Sequence, residues 1–480
     1  MLIRTYIHAF VLILVSSLSL CGCVKMEKVT DNPGVNEWVH ETMKEEYLWA
    51  STIGKYSPSG LNPKDYFETL RYRRTSGKLE NDYYGDRFSS ISKRSVDATR
   101  LSMALGNDDI DEGFGFVTRR YVTHIDGGII VFGQVICVVP GSPADKAGIR
   151  RGFNFNAVEV GGQVYHMPMP INDFEALISN RTIKLHIFHP ESKVVEVTMD
   201  SYPDNPIIFA DVYDTNQGKT AYLVYNHFTS GTDERFNQDL KDVFADFKSR
   251  GAKNLILDLR YNGGGELNTA MLLGSLIAKE DDLGEHFLSL ERNDGLFYKY
   301  NFYSSEAIGA QNLDVEKLYI ITLDNTASAS ELILHCLKPF FGDDLKHIGK
   351  KTYGKNVGSV KITNAGYDWE LNPITLRVYD KNLVSGYEQG IEPDLFADEK
   401  YTIFGDEDMT PNSYSVVGDF GDLGEYPEII LQKVITYMNT GEWPVGSRSG
   451  DNFYEDDTDY ETTCPDLPMK GLVEEERLVY

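Results

Sequence analysis

A serine and a lysine, Ser328 in TASASELILH (Thr326–His335) and Lys355 in TYGKNVGS, have the residue types of a nucleophile and its base. Ser328 follows the apolar run LYIITL (Leu318–Leu323), and a helix is expected to start at about Ala329. Its hydroxyl then falls at a helix N-terminus, where free backbone N–H groups and the positive dipole end favour developing negative charge, as an acyl-transfer oxyanion requires. A second donor is available from the Gly263–Gly265 run, since glycine lets a backbone N–H approach a carbonyl without Cβ obstruction. Each such donor is worth roughly 3–4 kcal/mol of barrier. Taken locally, Ser328 reads more readily as an N-cap, with Glu331 at N3 completing a Ser-x-x-Glu capping box. Ser330 is a rival nucleophile, but its place inside the helix aims its hydroxyl away from that of Ser328.

A serine nucleophile needs a base. No G-x-S-x-G elbow is present, and no histidine stands in a triad context. His335 lies about two helical turns beyond Ser328, too far to accept its proton. His186 and His227 fall in strand-like runs and read as structural. A lysine serves if burial lowers its pKa from about 10.4 to about 7–8. Lys355, set between glycines and apolar residues, is the candidate, although TYGKNVGS alone reads as a solvated loop.

The surrounding elements place these groups at strand ends. KTAYLVYNHF reads as a strand, and Phe236, Leu240, Val243, Phe244 and Phe247 mark one helical face closed by Gly251. NLILDLR (Asn254–Arg260) is a continuous apolar strand suited to burial on both faces, running into YNGGGE and the helical stretch LNTAMLLGSLIA. LYIITL and TASASELILHCL repeat that order. Strand, glycine-rich loop and helix in repetition predict an α/β layer. Earlier in the chain, Val35, Trp38, Val39, Met43 and Tyr47 follow the helical period, and a second helix is expected over 63–72. Residues 105–200 are short β-like runs broken by glycines, with GFGF (Gly113–Phe116) ahead of SPADKAGIRRG.

Joined in order, these segments resemble the S41 family of serine endopeptidases, the C-terminal processing peptidases, and in particular its Bacteroidetes-type lipoprotein members. LDLRYNGGG, TASASE, TYGKNVGS and GIEPD (Gly390–Asp394) match four family motifs, and SPADKAGIRRG matches the helix-and-turn segment of a PDZ domain. The resemblance implies Ser328 as nucleophile, Lys355 as general base, and an oxyanion hole from the N–H groups of Ala329 and Gly264. It also implies that the loop Gly113, Phe114, Gly115 and Phe116 cradles a peptide's C-terminal carboxylate while the peptide adds to a sheet edge. Two departures stand out: Ser359 occupies a position where many members have glutamine, and Asn356 one usually left to glycine. The fold implied is a multidomain α+β chain with a helical N-terminal domain, a PDZ-like β-rich domain and an α/β crotonase/ClpP-like peptidase core.

The N-terminus carries Arg4 and the apolar stretch AFVLILVSSLSL, too short to span a bilayer comfortably, which reads as an export signal. Leu20-Cys21-Gly22-Cys23 resembles a bacterial lipobox with Cys23 as the lipidated residue. The expected organisation is a lipoprotein signal over 1–22, a tether over 23–34, a helical domain over 35–104, the PDZ-like domain over 105–202, the catalytic domain over 203–445 and an acidic, solvated tail over 446–480. Cys137, Cys336 and Cys464 show no repeated spacing, so neither a disulfide framework nor a zinc pattern is readable. A net charge of −27 argues against nucleic acid and anionic lipid as partners; acyl chains, rather than a basic patch, would hold the chain to a membrane. The expectation is an exported, periplasmic or outer-membrane enzyme that hydrolyses unfolded or C-terminally exposed protein segments without metal or organic cofactor. The alternatives are a catalytically weak surface protein that binds peptides and an α/β hydrolase acting on small substrates, the latter disfavoured by the missing elbow and triad.

Overall fold

The computed structural model describes residues 33–57, 60–73, 85–94, 110–125, 128–167, 169–399, 402–405, 414–417, 421–425, 428–444 and 473–479. The expected export signal, Cys23 and most of the tether and acidic tail lie outside the described residues.

Helices α1 (Pro33–Glu46) and α2 (Pro63–Leu70) come first, followed by strand β1 (Ser90–Lys93). Asn62 caps α2 by accepting the Asp65 N–H at 3.0 Å, and Pro63 supplies a preset first turn. Val35, Val39, Met43 and Tyr47 are buried, as their helical spacing predicts, and with Tyr66, Phe67 and Ile91 they pack against Val357, Ile362, Trp369, Leu371 and Ile374. The N-terminal helices therefore share their core with residues near the Lys355 motif instead of enclosing one of their own.

A β-rich stretch comprises β2 (Ile110–Gly113), β3 (Phe116–Ile125), β4 (Gly128–Val138), the short helix α3 (Pro143–Lys146), β5 (Asn154–Val160), β6 (Gln163–His166), helix α4 (Ile171–Ile178), β7 (Thr182–His189), β8 (Lys193–Thr198) and β9 (Asp200–Pro203). Strands run β3-β4-β5-β7-β8 in one antiparallel sheet, with β6 hydrogen-bonded to β5 and β2 paired with β9 alone. Its core, which includes Phe114, Val135, Phe155, Leu185 and Ile187, is separate from the others.

Next come β10 (Ile207–Thr215), β11 (Gly218–Tyr225), helix α5 (Arg235–Ser249), β12 (Asn254–Asp258), helix α6 (Leu267–Ile277), β13 (His286–Arg292), β14 (Phe297–Asn301), β15 (Lys317–Thr322), helix α7 (Ala329–Phe341), β16 (Leu345–Gly349), β17 (Val357–Asn364), β18 (Trp369–Asn372), β19 (Ile374–Asp380) and β20 (Leu395–Phe396). β21 (Thr402–Gly405) and β22 (Tyr414–Val417) form a two-stranded ladder, and helix α8 (Ile429–Thr440) and β23 (Val473–Val479) follow. One sheet runs β10-β11-β12-β15-β16-β20, parallel from β11 onward, and β12 is buried throughout. Helices α5, α6 and α7 cover one face through Leu240, Phe244, Leu273 and Leu337; α8 covers the other through Ile430, Leu431 and Val434. Burial on both faces is what a continuous apolar strand requires. Helix α8 thus supplies a layer of the core. A second sheet, β1-β18-β17-β19-β13-β14, takes β1 from the N-terminal region, and β23, from the segment read as a solvated tail, pairs with β17.

Beneath the end of β12 lies a buried ionic cluster. The Arg260 guanidinium donates to Asp258 (2.6 Å), Glu399 (2.8 Å) and Glu428 (2.7 Å), and Arg151 from the β-rich stretch donates to Glu399 (2.8 Å) and Glu428 (3.0 Å). Arg119 on β3 lies 3.5 Å from Glu399, so three cations face three carboxylates. These arginines hold the Glu399 carboxyl well below its usual range despite burial. Removing one partner from such a cluster strands an uncompensated buried charge. Glu399→Ala is accordingly expected to cost about 3–5 kcal/mol, read as a lowered denaturation midpoint.

Candidate active site

Three loops meet at the carboxyl ends of β12, β15 and β16. The Ala327 N–H donates to the Asn262 carbonyl (3.2 Å), joining the Ser328 loop to the glycine loop, and the Tyr353 N–H donates to the Thr326 carbonyl (3.0 Å), joining it to the Lys355 loop. The Thr326 hydroxyl donates to the Leu259 carbonyl and accepts the Leu323 N–H, which fixes the turn out of β15. Gly390 of GIEPD buttresses the Lys355 loop: its φ is 89°, and a Cβ there would sit 2.1 Å from the Thr352 carbonyl oxygen.

Ser328 is the N-cap of α7, with φ 61° and ψ −113°. A residue bearing a Cβ holds that conformation at a cost of order 1–3 kcal/mol, and such strain collects where geometry serves chemistry. The compensation comes from Glu331, fully buried one turn on. Its Oε2 accepts the N–H of Ser328 (2.8 Å) and of Lys355 (2.7 Å), and its Oε1 accepts the N–H of Gly354 (2.7 Å) and the Thr352 hydroxyl (2.6 Å). One carboxylate therefore fastens the serine turn to the lysine loop. Burial raises the Glu331 pKa, and the donors from Thr352, Lys355, Ser328 and Gly354 oppose that rise. The capping-box reading is correct; the three other partners of Glu331, more than twenty residues on, have no local signal.

Lys355 is almost fully buried, and burial pulls its amine down to about 8, against the opposing charges of Glu331 and Asp86. Its Nζ lies over the Phe88 ring, 5.1 Å from the centroid. An amine in that range carries a usable neutral fraction near neutral pH, which a solvated lysine does not. Asn356 adopts no left-handed conformation; its side-chain amide donates to Ser385 Oγ and Glu388 Oε1, each at 3.0 Å. Ser359 lies on β17, paired with Ile374.

Ala329 is the buried first residue of α7, so its N–H has no intrahelical partner. Gly264 departs from expectation: its N–H already donates to Asn262 Oδ1 at 2.8 Å, and its carbonyl accepts the Phe228 N–H. The asparagine side chain folds back on the loop two residues on, an Asx turn that occupies the expected second donor. Ser330, buried inside α7, donates to the Asn262 carbonyl at 3.1 Å and acts as a loop tie. His335 hydrogen-bonds the Val384 carbonyl, and His186 bonds Glu159.

In the β-rich stretch Gly113 ends β2 and Phe116 opens β3, with Phe114 buried and stacked on Phe116 (ring centroids 5.5 Å apart). Gly115 has φ 75°, and a Cβ on it would meet the Ser142 side chain at 2.1 Å, so only glycine lets this loop sit on the cap of α3.

Residues 219–396 match the model of peptidase family S41, and residues 34–90 match that of the peptidase S41 N-terminal domain. A protein described as a CtpA-like serine protease from Staphylococcus aureus is 25% identical over 364 residues, covering 71% of this chain and 67% of that protein. The carboxy-terminal processing protease CtpA of Bacillus subtilis is 26% identical over 276 residues, covering 55% and 54%. A solved structure described as an S41 protease from Bacteroides fragilis superposes with a TM-score of 0.62 at 25% identity, covering 84% of this chain and 96% of its own.

Proposed function

Because the chain belongs to peptidase family S41, the C-terminal processing peptidases, and is a serine-type peptidase, we propose that it cleaves unfolded or C-terminally exposed protein segments through a Ser328–Lys355 dyad. The observation that carries this reading is the Glu331 carboxylate, which ties the nucleophile's turn to the loop of a buried lysine. Lys355, neutral before attack, takes the Ser328 hydroxyl proton as Oγ adds to the scissile carbonyl. The Ala329 N–H receives the oxyanion, and Gly264 joins it once Asn262 releases its N–H. The tetrahedral species collapses, the protonated amine hands its proton to the leaving nitrogen, and an ester to Ser328 remains. Water, deprotonated by Lys355, hydrolyses that ester.

Residues 105–202 would act as a PDZ-like domain whose Gly113–Phe116 loop receives a chain terminus and presents it to Ser328. Cys23 would carry the lipid that holds the exported enzyme at the periplasmic or outer-membrane surface; among the described residues no helix is long and apolar enough to cross a membrane. A second reading, a peptide-binding protein of weak catalytic power, draws on the occupied Gly264 N–H and on Ser359.

Hydrolysis of an unstructured protein by the full chain separates the two. Cleavage is expected to rise with pH through a midpoint of about 8, since the base must lose its proton to act and burial places that loss there. Binding of the same protein without turnover at any pH between about 6 and 10 would put the second reading first.

A further inference from the structure

Lys355 owes part of its seclusion to the turn that leads into β1. Asp86 Oδ1 accepts the N–H groups of Phe88 and Ser89, both at 2.9 Å, and Asp86 Oδ2 accepts the Tyr47 hydroxyl at 2.6 Å. Ser89 Oγ then accepts the Ile374 N–H at 2.8 Å. A turn held on both sides presents Phe88 in a fixed place. Lys355 Nζ lies 5.1 Å from the ring centroid, within cation–π range, and the Arg87 guanidinium lies 4.8 Å from the same centroid. Tyr353 packs tilted against Phe88, with centroids 6.2 Å apart. Among the described residues, Lys355 Nζ makes no hydrogen bond that would fix its direction, and the Phe88 ring is an apolar group that faces it.

We propose that Phe88 is the positioning residue of the Lys355 amine: its ring covers Nζ, fixes its direction and keeps water from it. This rests on the reading of Lys355 as general base. The other groups facing the amine are charged and cannot do the same. Glu331 on α7 and Asp86 on the turn both favour the protonated form. Arg87 is held by the Gly354 and Glu388 carbonyls at 3.0 and 3.3 Å, and Glu388 by Asn356, so each is already engaged elsewhere. An apolar ring adds to the burial that pulls the amine down to about 8 despite two carboxylates nearby, which leaves it a neutral fraction near neutral pH.

The test is the pH profile of kcat and kcat/KM on an unstructured protein for the full chain, Phe88→Ala, Phe88→Leu and Phe88→Tyr, with Lys355→Ala in parallel. In Phe88→Ala water reaches Nζ, so the rising limb moves alkaline by about one pH unit and activity at neutral pH falls about tenfold. Phe88→Tyr keeps the ring and the wild-type limb. Phe88→Leu keeps apolar bulk without a ring; its limb stays in place while the plateau kcat falls roughly fivefold with KM unchanged. A wild-type limb in Phe88→Ala, or a wild-type plateau in Phe88→Leu, overturns the proposal, and Phe88→Leu decides alone if the alanine variant does not fold. An inactive Lys355→Ala beside unchanged Phe88 profiles removes this proposal only. A fully active Lys355→Ala removes the general base, and the proposal falls with it.

Discussion

Ser328→Ala is expected to lower kcat by on the order of 10⁴–10⁶-fold while leaving KM within about twofold, because under the proposed dyad it deletes the atom that forms the ester and nothing that binds substrate. Ser330→Ala is the control. That hydroxyl is a buried tie to the Asn262 carbonyl, so its loss costs about 1 kcal/mol of stability and less than tenfold in rate. The discrimination is sharp because both serines are buried and only two positions apart. Burst kinetics with an activated ester, followed by mass spectrometry of the trapped acyl-enzyme, would place the label directly; a label on Ser330 would reverse the assignment. Alanine keeps the Cβ and so the unusual backbone of Ser328, and the Glu331 bond to its N–H is untouched. A folded, inactive protein is therefore the expected product.

Lys355→Ala is expected to lower kcat by on the order of 10³–10⁵-fold and to abolish the limb at about 8. Lys355→Arg should be as inactive, since a guanidinium cannot deprotonate in this range and so cannot receive the serine's proton. A cation that merely stabilised charge would be replaceable by arginine at modest loss. Retention of more than about a tenth of the rate in the arginine variant would thus turn Lys355 from a base into an electrostatic group.

Much of the scaffold is legible in the sequence because burial imposes a period. Phe236, Leu240, Phe244 and Phe247 are the buried face of α5, and the unbroken apolar run at Asn254–Asp258 is a strand covered on both sides. Contacts that join distant segments leave no such trace. Glu331 reads locally as a cap, and nothing near it announces bonds to Thr352, Gly354 and Lys355. Phe88 sits in an irregular turn, so no periodicity marks it, and only the fold brings it to Lys355. At Gly264 the freedom of the glycine is legible, but not that the Asn262 side chain two residues earlier holds its N–H. Nothing in the segment around α8 shows that Glu428 at its start both caps the helix and closes the ionic cluster under Arg260.

The core shared between α1, α2 and the β17–β18 region decides what can be cut from this protein. A fragment of residues 219–396 would retain Ser328 and Lys355 yet expose Val357, Ile362, Trp369 and Leu371, which the N-terminal helices bury. It would also lack the edge strand β1 and the Asp86–Ser89 turn above the lysine. The peptidase segment is thus not an excisable module. Chimeras with relatives must carry residues 33–94 together with the catalytic segment, and a drift in either half of that joint core calls for a matching change in the other.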